Sequence, residues 1–104
     1  MAPDGKSGPE RRRSPRHEVE IQLRIESHGA SYTGRTRDVS ARGAMVECDA
    51  VFPVATVLQV THGVSGRTAD FRVVWIWPGD QPGRYRVGLE LEEAVDFWGE
   101  LGGG

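Results

Sequence analysis

The sequence reads as all-β, six short antiparallel strands closed into a barrel or stacked as a sandwich. Three observations carry that reading. At 104 residues the chain is sized for one domain with a single core. Fourteen Gly and six Pro punctuate it with turns. Between the turns apolar residues recur at period two, and no stretch between strands is long enough for a crossover helix.

Residues 1–10, MAPDGKSGPE, hold no large aliphatic side chain and cannot offset the entropy of ordering, so they are expected to be a disordered tail. From Val19 the pattern changes. Val19, Ile21, Leu23 and Ile25 alternate with Glu20, Gln22, Arg24 and Glu26, a strand with one buried face. His28-Gly29-Ala30 turns the chain into a second strand, Ser31 to Val39. Ala44 to Cys48 is a third, and Thr56 to His62 a fourth after the Phe52-Pro53 break. Thr68 to Trp77 follows, with Phe71, Val73, Trp75 and Trp77 on one face and Val74 and Ile76 on the other, as in a central strand. Strict alternation sends Trp75 and Trp77, with Tyr85, into the core rather than to a base-stacking surface. Pro78-Gly79-Asp80 and Pro82-Gly83 turn the chain into the last strand, Arg84 to Leu91. Ala94, Phe97, Trp98 and Leu101 have helical spacing, which predicts a short amphipathic helix over 93–101 covering a barrel end, before a glycine tail at 102–104.

The net charge of −2 conceals an asymmetry. Residues 1–16 carry five basic and two acidic side chains, +3, and the other 88 carry eight and thirteen, −5. A basic arm on an acidic body suits a local anionic partner better than nucleic acid, which calls for a broad positive surface. The single Cys48 can close no internal disulfide and start no CxxC motif, and His17, His28 and His62 lie too far apart in sequence to suggest a metal site. No metal or cofactor is expected. No apolar run of membrane-spanning length and no signal-peptide core are present, so a cytoplasmic protein without membrane contact is expected. Neither a Ser/His/Asp order, a phosphate-binding glycine loop nor a paired-carboxylate arrangement points to an enzyme.

Two patches are chemically distinctive, Arg11-Arg12-Arg13-Ser14-Pro15-Arg16 and Asp38-Val39-Ser40-Ala41-Arg42-Gly43. If the first two strands pair as a hairpin, the chain that leaves near Val19 returns near Asp38, and the arm meets the second patch at one end of the sheet. Guanidinium groups match phosphate and the O6/N7 edge of guanine; an acceptor-only carboxylate matches the N–H donors of a guanine edge. The set reads as a guanine nucleotide site, with Gly43 free to take a positive φ and bring backbone close to the ligand.

Arg12-x-x-x-Arg16, followed after a strand, turn and strand by Asp38-x-Ser40-x-x-Gly43, resembles the two signature motifs of the PilZ domain, the bacterial receptor for cyclic di-GMP. The resemblance runs from about Arg11 to Leu91 and includes Val87-Gly88-Leu89-Glu90-Leu91, similar to the family's closing strand except that Leu91 stands where Phe is frequent. It implies a six-stranded antiparallel barrel of split-barrel type over 18–91, a ligand-binding arm at 11–17 that folds over the nucleotide, and a C-terminal helix. It also implies that Arg12 and Arg16 grip guanine and phosphate, that Asp38 and Ser40 contact them from the barrel, and that Gly43 shapes the turn. Arg11 before the first motif arginine tends to accompany an intercalated cyclic di-GMP dimer, which implies two ligands; Arg13 and Arg42 are secondary candidates. The implied role is a receptor or adaptor that relays the signal to an effector protein. A nucleotide-independent interaction domain and a small nucleic-acid-binding barrel are the alternatives.

Overall fold

The computed structural model describes residues 16–99 and has six strands: β1 Gln22–Ser27, β2 Ala30–Ser40, β3 Gly43–Cys48, β4 Val57–His62, β5 Thr68–Pro78 and β6 Tyr85–Leu91. They close an antiparallel barrel in the order β1-β2-β3-β6-β5-β4, with β4 paired back onto β1. Of the expected elements, the tails at 1–10 and 102–104 and the arm residues Arg11, Arg12 and Arg13 lie outside the described residues.

Each strand follows from its alternation. Leu23 and Ile25 of β1, Leu58 and Val60 of β4 and Val87 and Leu89 of β6 point inward, and their neighbours Arg24, Gln59 and Glu90 face solvent. His28 and Gly29 both take positive φ, 53° and 81°, in a two-residue hairpin turn whose twist matches the flanking strands. Cys48 is buried among these apolar side chains, and burial pushes its thiol above the usual range, which leaves it a small core hydrophobe.

Strict alternation fails at two places, on the strands that flank β3 and β6. The β2–β3 ladder shifts register between Thr36 and Asp38, and the β5–β6 ladder between Val73 and Trp75. In each, one extra residue, Arg37 or Val74, lets the strand reverse which side chains face in. Thr36 and Val39 both point into the core, and so Asp38 turns outward. Val73 and Ile76 pack inward, and so Trp75 and Trp77 turn outward, Trp77 with 62% of its surface exposed. The expectation that Trp75 and Trp77 are core residues is therefore corrected: the Val74 bulge hands their inward place to Ile76.

The first strand starts at Gln22 instead of Val19. Thr36 replaces ladder bonds at that point: its hydroxyl accepts from Ile21 N at 2.8 Å and donates to Val19 O at 2.5 Å. Val19 and Ile21 still pack against the core, as the alternation predicts.

The C-terminal segment covers one barrel end without forming a helix among the described residues. Phe97 meets Phe71 edge-on at 5.0 Å and Trp98 at 4.7 Å, and both are buried. The helix expected over 93–101 is not formed among the described residues. Glu92 N donates to Asp70 O, Glu93 accepts from Asp70 N, and Gly99 sits at a φ of 79°, where a right-handed helix cannot continue. Among the described residues no helix is long and apolar enough to cross a membrane.

Under this cap His62 is only 7% exposed, its ring 5.8 Å from that of Phe97. Its Nδ1 accepts from Val64 N at 3.1 Å and Ser65 N at 3.2 Å, which requires a lone pair there and hence a neutral ring with its proton on Nε2. Burial first, and then the charge of Arg67, lower its pKa below the ordinary 6.5.

Two outcomes follow. Phe97→Ala should cost about 3–5 kcal/mol in urea unfolding, as for a fully buried aromatic, whereas Val95→Ala, at a side chain 45% exposed, should cost under about 0.5 kcal/mol. Because the folded ring binds its proton less readily than the unfolded one, the stability that His62 contributes is present above pH 6.5 and is lost as pH falls from there through the lower folded-state pKa. Gln can accept the same two N–H groups without titrating, so the melting temperature of His62→Gln should fall less than that of the wild type between pH 7.5 and 5. Parallel curves would assign the slope to another group.

Candidate functional site

The base of the arm is tied to the barrel by backbone. His17 and Val39 exchange both ladder bonds, His17 N to Val39 O at 2.7 Å and Val39 N to His17 O at 2.9 Å. This bridge sets the preceding residue, Arg16, beside the outward-turned Asp38. Arg16 Nε donates to Asp38 Oδ1 at 2.7 Å, and a terminal nitrogen of the same guanidinium reaches the same oxygen at 2.5 Å. The hairpin argument from sequence, that the arm must meet the Asp38/Ser40 end of the sheet, thus holds at Arg16.

Arg16 also edges an open depression of about 340 Å³ on the outer wall, together with Ser40, Arg42, Gly43, Val74, Trp75, Gly88 and Glu90. Ser40 and Gly43 face each other across the tight β2–β3 turn, and Ser40 is largely buried. Gly43 does not take the positive φ expected of it. What excludes a side chain there is close packing, since a Cβ would lie 2.3 Å from Leu89 O on β6. The floor next to it depends on a second glycine. Trp75 pairs with Gly88 across the β5–β6 ladder, and a Cβ on Gly88 would come within 2.2 Å of the indole. The ring therefore lies against the wall where only glycine leaves room, with Gly88 in turn opposite Met45 and Met45 opposite Asp38.

The sequence-derived candidates divide between two neighbouring hollows. Arg16, Ser40, Arg42 and Gly43 line the Trp75 depression; Asp38 lines an adjoining groove with Glu18, Glu20 and Arg37, and Arg16 joins the two through its ion pair. Trp75 and Gly88 are additions that alternation concealed. The signal for them was a glycine placed within an otherwise apolar strand, which often marks close approach by a large group. Three other arginines are engaged elsewhere. Glu47, with 9% of its side chain exposed, is held by Arg37 at 2.7 Å, Arg35 at 3.5 Å and Arg86 at 3.9 Å, and Arg86 also forks onto Asp80 at 2.8 Å. Among the described residues no three His, Cys, Asp or Glu side chains converge as a metal site would need.

An indole face, two guanidinium groups and a hydroxyl around one hollow can hold a flat, anionic, heteroaromatic ligand by stacking and charge-assisted hydrogen bonds. The fold is a small closed barrel of six antiparallel strands with an open hollow on its outer wall. The family model of the PilZ domain matches residues 10–96, and the chain belongs to that family, whose members are generally cyclic di-GMP receptors and regulatory binding domains, not enzymes. The fold is similar to the solved structure of the Bacillus subtilis inhibitor of motility (MotI/DgrA), with a TM-score of 0.68 and 17% identity. That match covers 83% of this chain and 44% of the other, so this chain spans less than half of that relative. No curated protein matches the sequence significantly.

Gly88→Ala should drive the Trp75 indole off the wall at a cost of about 1–3 kcal/mol, the range of overpacking substitutions. In two-dimensional NMR the Trp75 indole resonance should shift while Leu23 and Ile25 amides on the opposite wall stay in place. An unmoved Trp75 signal would contradict the close approach.

Proposed function

We propose that this protein is a cyclic di-GMP receptor of the bacterial cytoplasm, in which the arginine arm orders over the nucleotide and the altered surface is relayed to an effector protein. The observation that carries the reading is the position of Arg16: a backbone bridge sets it at once on Asp38 and at the rim of a hollow floored by Trp75 and walled by Ser40 and Gly43. Arg16, Asp38, Ser40 and Gly43 are positions of the two motifs by which the sequence resembles the family, and both motifs are intact from Arg12 to Gly43.

In the proposed complex one guanine stacks on the Trp75 indole. Arg16 and Arg12 present forked donors to phosphate and to the O6/N7 edge, and Ser40 supplies a hydroxyl at the turn. Arg11 extends the arginine row and favours an intercalated pair of nucleotides, two ligands per chain, with Arg13 and Arg42 as further cationic contacts. Ordering about eight arm residues costs on the order of 1–2 kcal/mol each in backbone entropy, so binding must recover that cost from stacking and charge-assisted bonds. The signature is enthalpy-driven binding that weakens with salt.

Isothermal titration with cyclic di-GMP tests the reading. Arg12→Ala and Arg16→Ala should each lose about 1–3 kcal/mol of affinity, tenfold to hundredfold, with a wild-type stoichiometry near two ligands per chain. Undiminished affinity in both variants would remove the assigned site, and a stoichiometry of one would remove the role given to Arg11.

A further inference from the structure

We infer that Glu90 reads the base: its carboxylate accepts the N1–H and 2-amino hydrogens of the guanine stacked on Trp75 and so selects guanine over adenine. The inference rests on the nucleotide reading of the depression and names the group that gives it base specificity.

Glu90 stands on β6 between Gly43 of β3 and Arg72 of β5, faces solvent, and lines the same hollow as Arg16 and Trp75. Its cross-strand neighbour Arg72 could neutralise it but is taken by Glu92, with Nε to Oε2 at 2.8 Å and NH2 to Oε1 at 3.1 Å. Arg42 points its terminal nitrogen toward Leu91 O. Among the described residues Glu90 is left with neither ion pair nor side-chain hydrogen bond, a carboxylate with both oxygens available beside an aromatic face. Asp38, the acceptor that the sequence motif suggests for the base, is differently placed: Arg16 occupies its Oδ1, and it lines the neighbouring groove.

The donor pattern of the base decides what such a carboxylate accepts. Guanine offers two adjacent donors, N1–H and the 2-amino group, which match two carboxylate oxygens, while its O6 and N7 acceptors remain for a guanidinium. Adenine has an unprotonated N1 at the corresponding position, so the same carboxylate would meet a lone pair and stay unpaired. Charge acts in the same sense on orientation. Glu90 repels a phosphate, so the sugar-phosphate ring turns toward Arg16 and the arm and the base edge turns toward β6.

The experiment is calorimetric titration of the wild type and Glu90→Gln with cyclic di-GMP and, in parallel, with cyclic di-AMP. The variant should lose about tenfold or more in affinity for cyclic di-GMP and none for cyclic di-AMP, because the amide it carries can donate to adenine N1, so the guanine preference narrows. Glu90 is exposed, and an unchanged melting temperature certifies that the variant is folded. Wild-type affinity for cyclic di-GMP in Glu90→Gln, or an equal loss for both nucleotides, overturns the inference while the receptor reading stands. A wild type that binds no cyclic di-GMP overturns the receptor reading itself, and this inference with it.

Discussion

Closure of the sheet is the constraint from which the rest of the molecule follows. With β4 paired back onto β1 the sheet has no open edge strand, and every strand is held in register by two neighbours. A side chain can then change from the core to the outer wall only where a residue is inserted into the ladder. The two insertions, Arg37 and Val74, lie on strands on either side of the β3–β6 pair. Without the first, Asp38 and Ser40 would point into the core and Val39 out. Without the second, Trp75 would be buried and Ile76 exposed. The polar and the aromatic parts of the candidate site are thus both products of one-residue register shifts, and each shift costs little more than a ladder hydrogen bond, about 1 kcal/mol.

Between the bulged strands, β3 and β6 stay regular and contribute glycines in place of side chains. Gly43 allows the β2–β3 turn to lie against Leu89, and Gly88 allows the Trp75 ring to lie against the wall. The residues that make the hollow are in this sense absences. A hydroxyl, a guanidinium and an indole are brought to it by turns and bulges, and the strands beneath are kept free of bulk. The barrel end at which the β2–β3 turn lies is closed by side chains instead, a cap of Phe97 and Trp98 on Phe71 with His62 beneath it.

The six strands, the hairpin turn at His28-Gly29 and the meeting of the arm with the Asp38 end were legible because each leaves a periodic or local signature. The bulges leave none. In Phe71-Arg72-Val73-Val74-Trp75-Ile76-Trp77 both registers bury apolar residues, so the pattern cannot say whether Trp75 or Ile76 faces in; the pairing of Trp75 with Gly88 decides, and that is a tertiary fact. The C-terminal segment misleads for a related reason. Ala94, Phe97, Trp98 and Leu101 keep helical spacing, yet Phe97 and Trp98 are held by contacts to Phe71, and Gly99 at a positive φ stops a right-handed helix before Leu101. Of the site, the motif residues were readable as a set, and their division between two hollows was not. That division follows from Asp38 and Ser40 standing on opposite sides of Val39, with the His17 bridge between them.

Their partners distinguish Arg16 from the arginines gathered around Glu47. Arg16 pairs with Asp38 at the surface, with half of its own side chain in solvent, and a pair of that kind is worth about 0–1 kcal/mol. A phosphate or a guanine edge offers the same guanidinium an equal or better partner, so Arg16 can turn to a ligand at little cost and leave Asp38 free to follow it. Arg35, Arg37 and Arg86 converge on a Glu47 that is almost fully buried, and a buried carboxylate gives up a partner less readily than one at the surface. Arg16 and the Glu47 arginines therefore differ more in their partners than in their exposure. The acidic excess of the barrel sharpens the difference. The chain from His17 onward is net negative, so an anion is drawn to local cations rather than to the barrel as a whole, and Arg16 is a cation at the hollow whose surface ion pair opens at little cost.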